Sequence, residues 1–428
     1  MNQHDNTTMV ESQRPQHVSD RNGRNGHAES PALAADYLNI DSLFTPDEGA
    51  LRLRVRKFVD ERVKPHIADW YENAYFPTEL VAELGQIGLL GMAIEGYGCP
   101  GRSYVEYGLA NMELEAGDSG LRTFVSVQSS LAMSAIYKFG SEAQKNQWLP
   151  GMAKGQLIGC FGLTEPDAGS DPAGMQTIAR RDGEQWTISG TKRWIGLASI
   201  ADVAVIWAKT DEGVRGFLVP TSAPGFTATP IQPKLAMRAS IQCQIHLDNV
   251  RLTEADRLPL ATGLTAPLTC LDEARYGILW GVVGAARDSY QVALDYTLNR
   301  HQFNRPIASF QITQQKLVNM VLEINKGLLV ALHTGRLKDA GMLRPEQISF
   351  GKLNNVRMAI DIAREARTML GGNGITLDYS PMRHANNLEA VRTYEGTDEI
   401  HTLIIGRAIT DLPAFESGTV ARRGCQVT

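Results

Sequence analysis

The spacing of apolar residues predicts helices in the stretch that follows residue 40. Thr45-Pro46-Asp47-Glu48 is typical of a helix start, because proline and acidic side chains are favoured in the first turn. Apolar residues then recur at helical spacing, at Leu51, Val55, Phe58 and Val59. The same pattern predicts further helices at about residues 78–91, 103–116, 125–138 and 141–153, with a loop at the Gly- and Pro-containing residues 96–101.

The pattern changes near residue 157, where short β-rich runs replace the helical spacing. These runs are separated by Gly, Pro and Asp turns, and they cover residues 186–188, 203–207, 216–219 and 244–247. Short strands bounded by such turns favour a small β-barrel or sandwich.

Long helices are predicted again from Glu273 onward. Apolar residues begin one helix at Ile278, Val282, Ala285 and Ala286, mark a second at Leu317, Met320, Val321, Ile324 and Leu328, and a third runs from about residue 345 to 370. This helix–strand–helix order predicts an α+β protein. Its expected parts are a disordered N-terminal extension (1–40), an N-terminal helical domain (41–156), a β-barrel or sandwich domain (157–272), a C-terminal four-helix bundle (273–416) and a tail (417–428).

Composition narrows the class of protein. The 428 residues, 43% of them hydrophobic, suit two or three domains with large cores. A net charge of −5 gives no general attraction to nucleic acid. No apolar run approaches the roughly 18 residues that a membrane helix needs. Residues 1–40 lack the apolar stretch of a secretory signal, and Asp5, Glu11, Asp20 and Glu29 make a transit peptide an unfavourable interpretation. We therefore expect a cytoplasmic protein.

The cysteines and histidines predict neither a disulfide framework nor a metal site. The five cysteines are widely spaced, without a C-x-x-C pair, and the nine histidines have no ligand spacing. This usage fits a reducing compartment. We expect no bound metal.

The segment Arg392-Thr393-Tyr394-Glu395-Gly396-Thr397-Asp398-Glu399-Ile400 carries the most chemistry. Gly396 frees the backbone beside Glu395, so that a flat ligand can approach closely. A carboxylate enclosed with an apolar ligand loses water, so its pKa rises and it becomes a base near neutral pH. Taken alone, the segment is equally compatible with a solvated acid on a surface helix turn.

Four other segments make the first interpretation specific. They are Leu163-Thr164-Glu165-Pro166-Asp167-Ala168-Gly169-Ser170-Asp171, Gly190-Thr191-Lys192-Arg193-Trp194-Ile195, Arg300-His301-Gln302-Phe303 and Leu370-Gly371-Gly372-Asn373-Gly374. In this order, over roughly residues 41–416, the chain resembles the acyl-CoA dehydrogenases, and within them the glutaryl-CoA dehydrogenases most of all. No G-x-G-x-x-G follows a strand, which argues against a Rossmann domain.

The resemblance implies the acyl-CoA dehydrogenase fold and an FAD cofactor. The residues it assigns to the flavin edge and ring are Phe161, Leu163, Thr164, Gly169, Ser170, Trp194, Ile195 and Gly196. Those it assigns to the pyrophosphate, the adenosine and the far side are Arg300, Phe303, Gln311, Thr368, Gly371, Gly372, Thr397 and Glu399. Because Arg300 and Gln311 would reach the FAD of a partner subunit, the resemblance also implies a homotetramer.

The resemblance further implies an acyl-CoA substrate and a base. Glu395 would take the α-proton, and its backbone N–H would help to bind the thioester oxygen as an oxyanion hole does. The residues implied to line the CoA groove are Ser170, Leu268, Asp272 and Arg275. Electrons would pass to an electron-transferring flavoprotein.

The stretch Glu115-Ala116-Gly117-Asp118-Ser119-Gly120-Leu121-Arg122-Thr123 resembles the part that distinguishes glutaryl-CoA dehydrogenases. Arg122 would pair with the distal carboxylate of the acyl chain, assisted by Glu115, Thr123 and Tyr394. A buried arginine without an anionic partner is costly, so such a site calls for an acidic substrate. With glutaryl-CoA the expected products are crotonyl-CoA and carbon dioxide. The alternative for Arg122 is an exposed side chain on a loop.

Departures from the family pattern keep two other functions open. Gly196 and Leu197 replace polar residues beside the flavin, Thr123 replaces a serine, Asp272-Glu273 replaces amides, and Asn304-Arg305 replaces a glycine and an apolar residue. Gly196 could change the reduction potential of the flavin and slow hydride transfer. Alternatively, it could leave room for dioxygen beside the flavin, as in monooxygenases on this fold. The remaining alternative is a CoA- or flavin-binding protein without turnover.

Overall fold

The computed structural model describes residues 35–414. The predicted tail at 417–428 and most of the predicted N-terminal extension lie outside these described residues. Residues 35–40 were expected to belong to that extension, but they pack on the protein instead. Ala35 and Ile40 are buried, and the Asn325 side-chain amide donates to the Ala35 carbonyl oxygen at 2.9 Å and accepts from the Leu38 N–H at 3.1 Å.

The first domain is helical, as predicted. Its helices are α1 (Pro46–Phe58), α2 (Ile67–Glu72), α3 (Leu80–Ile87), α4 (Tyr104–Gly117), α5 (Ser119–Ser126), α6 (Ser134–Phe139) and α7 (Glu142–Ala153), with π-helical turns at Val59–Val63 and Val127–Met133. The predicted start at Thr45 is confirmed, because its hydroxyl accepts from the Glu48 N–H and the Glu48 carboxylate accepts from the Thr45 N–H. The helix predicted at 78–91 is shorter, since Gly88 ends it with φ of 78°.

The middle domain is one curled sheet. Its strands are β1 (Gly159–Gly162), β2 (Ile178–Asp182), β3 (Gln185–Gly196), β4 (Val203–Thr210), β5 (Gly213–Pro220), β6 (Phe226–Pro230) and β7 (Gln242–Thr253). The order is β1-β4-β2-β3-β7-β6, with β5 paired to β4. All four predicted β-rich runs lie within these strands. One set of strand side chains forms its own core, whereas Phe161, Val205 and Trp207 join the helical core, which fixes the sheet against the first domain.

The last domain is again helical, with α8 (Thr265–Asn299), α9 (Gln311–Asp339), α10 (Pro345–Met369), α11 (Ser380–Thr393) and α12 (Asp398–Thr410). A short hairpin of β8 (His301–Gln302) and β9 (Arg305–Pro306) joins α8 to α9. The predicted return of helices at Glu273 is wrong, because α8 begins at Thr265 and the boundary expected at 272/273 falls inside it. Pro267 does not prevent the earlier start, since a proline in the first turn costs no intrahelical hydrogen bond.

Glycines of α8 let it lie directly against α4. A Cβ atom at Gly284 would be 1.8 Å from the Met112 carbonyl oxygen, and one at Gly281 would be 2.1 Å from Oε2 of Glu115. Only glycine fits such spacing. The contact places the carboxylate of Glu115 between the two helices. Among residues 35–414, no helix is both long and apolar enough to cross a membrane, and no group of His, Cys, Asp and Glu is arranged to hold a metal.

Candidate active site

The centre of the site is the loop that connects α11 to α12. Glu395 has φ of 53° and Gly396 has φ of 93°, so two consecutive residues adopt the left-handed conformation. A Cβ atom at position 396 would be 2.7 Å from Nε2 of the buried His401, which explains the glycine. Thr397 then starts α12, and its hydroxyl accepts from the Ile400 N–H.

Two cationic side chains hold this loop by its carbonyl oxygens. Arg275, from α8, donates through Nε to the Glu395 carbonyl oxygen at 2.8 Å. Lys352, from α10, donates to the carbonyl oxygens of Tyr394 at 2.7 Å and Gly396 at 2.6 Å. Three successive carbonyl groups are therefore fixed from two helices. A strained backbone persists only when its surroundings hold it in this way.

The carboxyl group of Glu395 has the properties of a base. Burial raises the pKa of Glu395, and the positive charges of Arg122, Lys352 and Arg275 oppose that rise. Its Oε2 atom is buried and has no hydrogen-bond partner among residues 35–414. A buried carboxylate oxygen without a donor leaves an acceptor available for a ligand or for a proton.

The predicted acyl-binding residues are brought together around Arg122. Arg122 is fully buried on α5, so the alternative of an exposed loop arginine is wrong. Its Nε donates to Oε2 of Glu115 at 2.7 Å, and its Nη2 donates to the Tyr394 hydroxyl at 2.6 Å. The Thr123 hydroxyl lies 3.3 Å from the same Tyr394 oxygen. Ser119 donates to the other oxygen of Glu115 at 2.8 Å.

One donor of this cluster is left over. Nη1 of Arg122 is buried and has no hydrogen-bond partner in the described part of the chain. Burial raises the pKa of Tyr394 to about 12, so its hydroxyl stays protonated at neutral pH. The cluster can therefore offer N–H and O–H donors to an anionic or oxygen-rich group. A buried donor left unpaired costs about 1–3 kcal/mol, which a bound acceptor would relieve.

The predicted CoA-groove residues on α8 share one face of that helix. Leu268, Asp272 and Arg275 are separated by four and three positions, and Nη1 of Arg275 lies 3.0 Å from Oδ1 of Asp272. Leu268 is exposed at its side chain. Ser170 and Gly169 lie on the exposed turn after β1, with open space around Gly169. Both segments thus offer accessible surface for a long ligand.

A buried ion pair fixes the segment that follows β1. Lys192 donates from β3 to the Leu163 carbonyl oxygen at 3.0 Å and to the Glu165 carboxylate at 2.8 Å. The side chains of Phe161, Leu163 and Ile195 are buried in the core. Any contact of these residues with a cofactor would therefore come chiefly from their main-chain groups. Thr164 is partly accessible.

Trp194 and Gly196 lie at the end of β3. Trp194 adopts φ of 64° and is 52% exposed, which is unusual for so large an apolar side chain. The Cα of Gly196 is close to Val127, since a Cβ there would be 3.3 Å from the valine Cγ2. Leu197 is buried. The indole is thus available to stack on a flat ring, and the space next to Gly196 is already partly filled.

The remaining predicted cofactor residues are exposed and lie on the last domain. Arg300, Phe303 and Gln311 surround the β8–β9 hairpin and are exposed, Phe303 to 87%. Thr368, Gly371 and Gly372 are exposed at the end of α10, with nothing within 4 Å of a Cβ at either glycine. Glu399 is exposed as well. Trp194 is half exposed as well, so all of these side chains are accessible to a ligand.

Sequence reasoning missed Lys352 and His401. Both are buried, at 1% exposure, and both adjoin the Glu395 loop. A signal for Lys352 exists in the sequence, because it occupies an inward position of α10 four residues after the buried Ile348 and four before the buried Val356. A lysine on the apolar face of a helix indicates a buried polar role.

Comparisons with known proteins cover most of the chain. Family models for the N-terminal, middle and C-terminal domains of acyl-CoA dehydrogenase match residues 45–156, 160–250 and 261–410. The short-chain specific mitochondrial acyl-CoA dehydrogenase of Rattus norvegicus is 33% identical over 362 residues, which cover 83% of this chain and 88% of the relative.

Solved structures give a closer likeness. The crystal structure of glutaryl-CoA dehydrogenase from Mycobacterium smegmatis is 61% identical, with a TM-score of 0.88, and the match covers 90% of this chain and 99% of that one. A structure of a glutaryl-CoA dehydrogenase from the same organism in complex with FADH2 is 58% identical, with a TM-score of 0.89, and covers 90% and 100%. The chain therefore belongs to the acyl-CoA dehydrogenase family of FAD-dependent oxidoreductases, which act on the CH–CH bond of acyl-CoA thioesters.

Proposed function

We propose that this acyl-CoA dehydrogenase acts on glutaryl-CoA or a closely related acyl-CoA that ends in a carboxylate, with loss of carbon dioxide. The observation that carries the proposal is the unpaired Nη1 of the fully buried Arg122, whose positive charge also acts on Glu395. The name of the solved relative at 61% identity agrees with it. The curated relative at 33% identity is named for short-chain substrates, so overall similarity alone does not decide the acyl group.

The charges around the site support an anionic acyl chain. Arg122, Arg275 and Lys352 are the cations, and Glu115, Asp272 and Glu395 are the carboxylates that face them. Once Glu395 has taken a proton, one positive charge is left without a partner. A substrate carboxylate would restore the balance, and the guanidinium of Arg122 is suited to bind it by its fixed set of donors. A neutral butyryl chain would leave Nη1 unpaired.

The proposed reaction begins with removal of the α-proton by the Glu395 carboxylate. FAD, when bound, supplies the acceptor for the β-hydride. The tight hold of Arg275 and Lys352 on the loop keeps the Glu395 main chain, and with it the N–H that would face the thioester oxygen, in one orientation. This loop therefore combines a base with a fixed donor.

Decarboxylation would follow on the same residues. The bond between the γ-carbon and the distal carboxylate breaks, carbon dioxide leaves, and the electron pair left on the γ-carbon takes the proton that Glu395 carries. Arg122 already shares its charge with Glu115 through the 2.7 Å contact. It would therefore orient the carboxylate without stabilising it so strongly that its loss is prevented.

Anaerobic mixing of the FAD-loaded protein with glutaryl-CoA or butyryl-CoA tests the proposal. We expect glutaryl-CoA to bleach the flavin absorbance faster, with crotonyl-CoA and carbon dioxide formed in equal amounts. Bleaching by butyryl-CoA alone would contradict the choice of substrate. Accumulation of glutaconyl-CoA would contradict decarboxylation.

The alternative function is a flavin monooxygenase on the same fold. It relied on free space beside Gly196, and Val127 lies near that position. Admitting air to the reduced protein separates the two functions. Slow reoxidation and an unchanged product are expected for the dehydrogenase, whereas fast reoxidation with an oxygenated product would require the monooxygenase.

The acceptor, the assembly and the compartment belong to the same proposal. We propose an electron-transferring flavoprotein as acceptor and a homotetramer as the working form. The exposed Phe303 and Ile312, at 87% and 70%, give the region around the hairpin and α9 an apolar surface suited to a second subunit. Light scattering of the purified protein tests the assembly.

The proposed compartment is a reducing, cytoplasmic one. Four cysteines are free, in keeping with this location: Cys99, Cys160, Cys243 and Cys270.

A further inference from the structure

Lys352 is a buried lysine with an unusual set of partners. Its ammonium group donates to two carbonyl oxygens, those of Tyr394 and Gly396, on either side of Glu395. Within residues 35–414 it has no carboxylate within 4 Å. A buried ammonium group without a contacting anion is costly, so its position calls for an explanation beyond packing.

The charges around Lys352 come from four other elements. The loop contributes Glu395, α12 contributes Asp398 and His401, α8 contributes Arg275 and α5 contributes Arg122. Burial lowers the pKa of Lys352 to about 7, a shift that Glu395 and Asp398 oppose and that Arg275 and Arg122 reinforce. Burial likewise lowers the pKa of His401, to about 3, so that residue is neutral.

Asp398 has its own partners. Arg357 and Arg392 donate to its carboxylate at 3.0 and 2.9 Å. Glu395 lacks any such pairing at Oε2. Neither Glu395 nor Lys352 contacts a counter-ion within the described residues, and each stabilises the ionised form of the other.

We propose that Lys352 is a positioning residue for the reaction: it holds the main chain on both sides of Glu395 and supplies the positive charge that keeps the Glu395 carboxylate ionised until it takes the α-proton. This inference rests on the proposed role of Glu395 as the base. It explains why a lysine, rather than a neutral donor, occupies the apolar face of α10. A neutral donor could bind the two carbonyl groups but would not favour the carboxylate.

The test compares three substitutions, Lys352→Gln, Lys352→Met and Lys352→Arg, in the FAD-loaded protein. The rate of anaerobic flavin bleaching is measured between pH 5 and 9 with whichever of glutaryl-CoA and butyryl-CoA reacts. Lys352→Gln and Lys352→Met should move the acidic limb of the profile to higher pH by about one unit, which makes the reaction about tenfold slower below that limb. Lys352→Arg keeps the charge and should keep the limb in place.

A spectroscopic measurement gives the same answer without turnover. The infrared carbonyl band of protonated Glu395, identified by its loss in Glu395→Gln, should titrate at higher pH in Lys352→Gln than in the unmodified protein. Lys352→Gln retains a hydrogen-bond donor, so it serves if Lys352→Met does not fold. A purely structural role would instead slow all three variants by one factor at every pH and leave the band unmoved, which would overturn the proposal.

Lys234 supplies a matched control. Its ammonium group is partly buried, with a pKa that burial lowers to about 8, and it donates to the carbonyl oxygens of Met237 at 2.9 Å and Ser240 at 2.8 Å. It lies on the β domain and does not contact the Glu395 loop. Lys234→Met should leave the acidic limb and the infrared band unchanged. A shift as large as that of Lys352→Met would mean that loss of any such lysine acts indirectly, and the proposal would fall.

The outcomes also separate this inference from the proposed function. If Glu395→Gln still bleaches the flavin, the base is another residue and both proposals fail. If Glu395→Gln abolishes bleaching but Lys352→Gln shifts neither the limb nor the band, only the role of Lys352 is wrong.

Discussion

Two of the buried glutamates of helix α4, Glu113 and Glu115, have different surroundings. Glu113 receives three arginines: Arg52 and Arg56 contact it at 2.7–2.9 Å, and Arg287 lies 3.8 Å away. Both of its oxygens have donors. Glu115 receives one arginine and one serine, and its arginine keeps an unused N–H group.

The difference separates a structural cluster from a candidate binding site. Around Glu113 the positive charges are paired within the protein, and the arginines that carry them connect α1 and α8 to α4. Around Glu115 the set remains open toward Tyr394 and Glu395. Both glutamates are buried and paired with arginine, so burial and ion pairing do not by themselves mark the site. What marks it is the polar atom that the protein leaves unpaired.

Replacement of the base should have the largest effect. Glu395→Gln removes the proton acceptor but keeps the shape of the side chain, so we expect flavin bleaching to slow by about 10²–10⁴-fold, while FAD stays bound. Stopped-flow absorbance measures the rate, and the flavin spectrum measures occupancy. Unchanged turnover would exclude Glu395 as the base.

Replacement of Arg122 should change the preference for glutaryl-CoA over butyryl-CoA. Arg122→Gln removes the donors for a distal carboxylate, and charged hydrogen bonds contribute roughly 1.5–3 kcal/mol, so the ratio of kcat/KM for glutaryl-CoA over butyryl-CoA should fall by about 10- to 100-fold. Using the ratio cancels any general loss of active protein. Arg122→Lys, which keeps the charge but not the fork, should give an intermediate ratio. An unchanged ratio would exclude Arg122 from acyl recognition.

Disrupting the closed cluster should instead cost stability. Burial raises the pKa of Glu113, but Arg56, Arg287 and Arg52 lower it to about 2, against 4.5 for a free glutamate. The folded-state pKa is depressed, so the stabilisation is present above about pH 4.5 and is lost as the pH falls toward 2, about 3 kcal/mol in all. Glu113→Gln should lower the unfolding free energy near pH 7 by about that amount and unfold with a weaker acid dependence. The glutaryl-to-butyryl ratio should not change.

The smallest effect is expected at Ser119. Ser119→Ala removes the hydroxyl donor to Oε1 of Glu115 and leaves Arg122 in place. The loss should be about 1 kcal/mol of stability, with the specificity ratio reduced at most twofold. Denaturant titration and the same two substrates measure it. A large change of specificity would show that Glu115 is oriented by Ser119 rather than by Arg122.

Much of the fold was predictable from local signals. Capping at Thr45, the β-rich runs and the helical spacing near Leu317 depend on neighbouring residues, and the structure agrees with them. Four of the site residues were also predicted, namely Glu115, Arg122, Thr123 and Tyr394. That prediction came from the family resemblance, because Glu115 and Tyr394 are 279 residues apart and no local signal connects them.

The rest depended on contacts between distant segments. Nothing local shows that Asn325 binds residues 35–38, or that Val127 lies beside Gly196. The role of Lys352 depends in the same way on a loop more than forty residues away. The early start of α8 was missed because Pro267 is compatible with either a turn or a first helical turn.

The glycine at position 281 constrains how this pocket could change in evolution or by design. Its missing side chain leaves room for Oε2 of Glu115, which a Cβ would meet at 2.1 Å. Gly281→Ala should therefore be tolerated only after Glu115 has become a smaller residue, and a smaller residue at 115 would in turn release Arg122. A redesigned enzyme that accepts neutral acyl chains would therefore change position 115 before position 281.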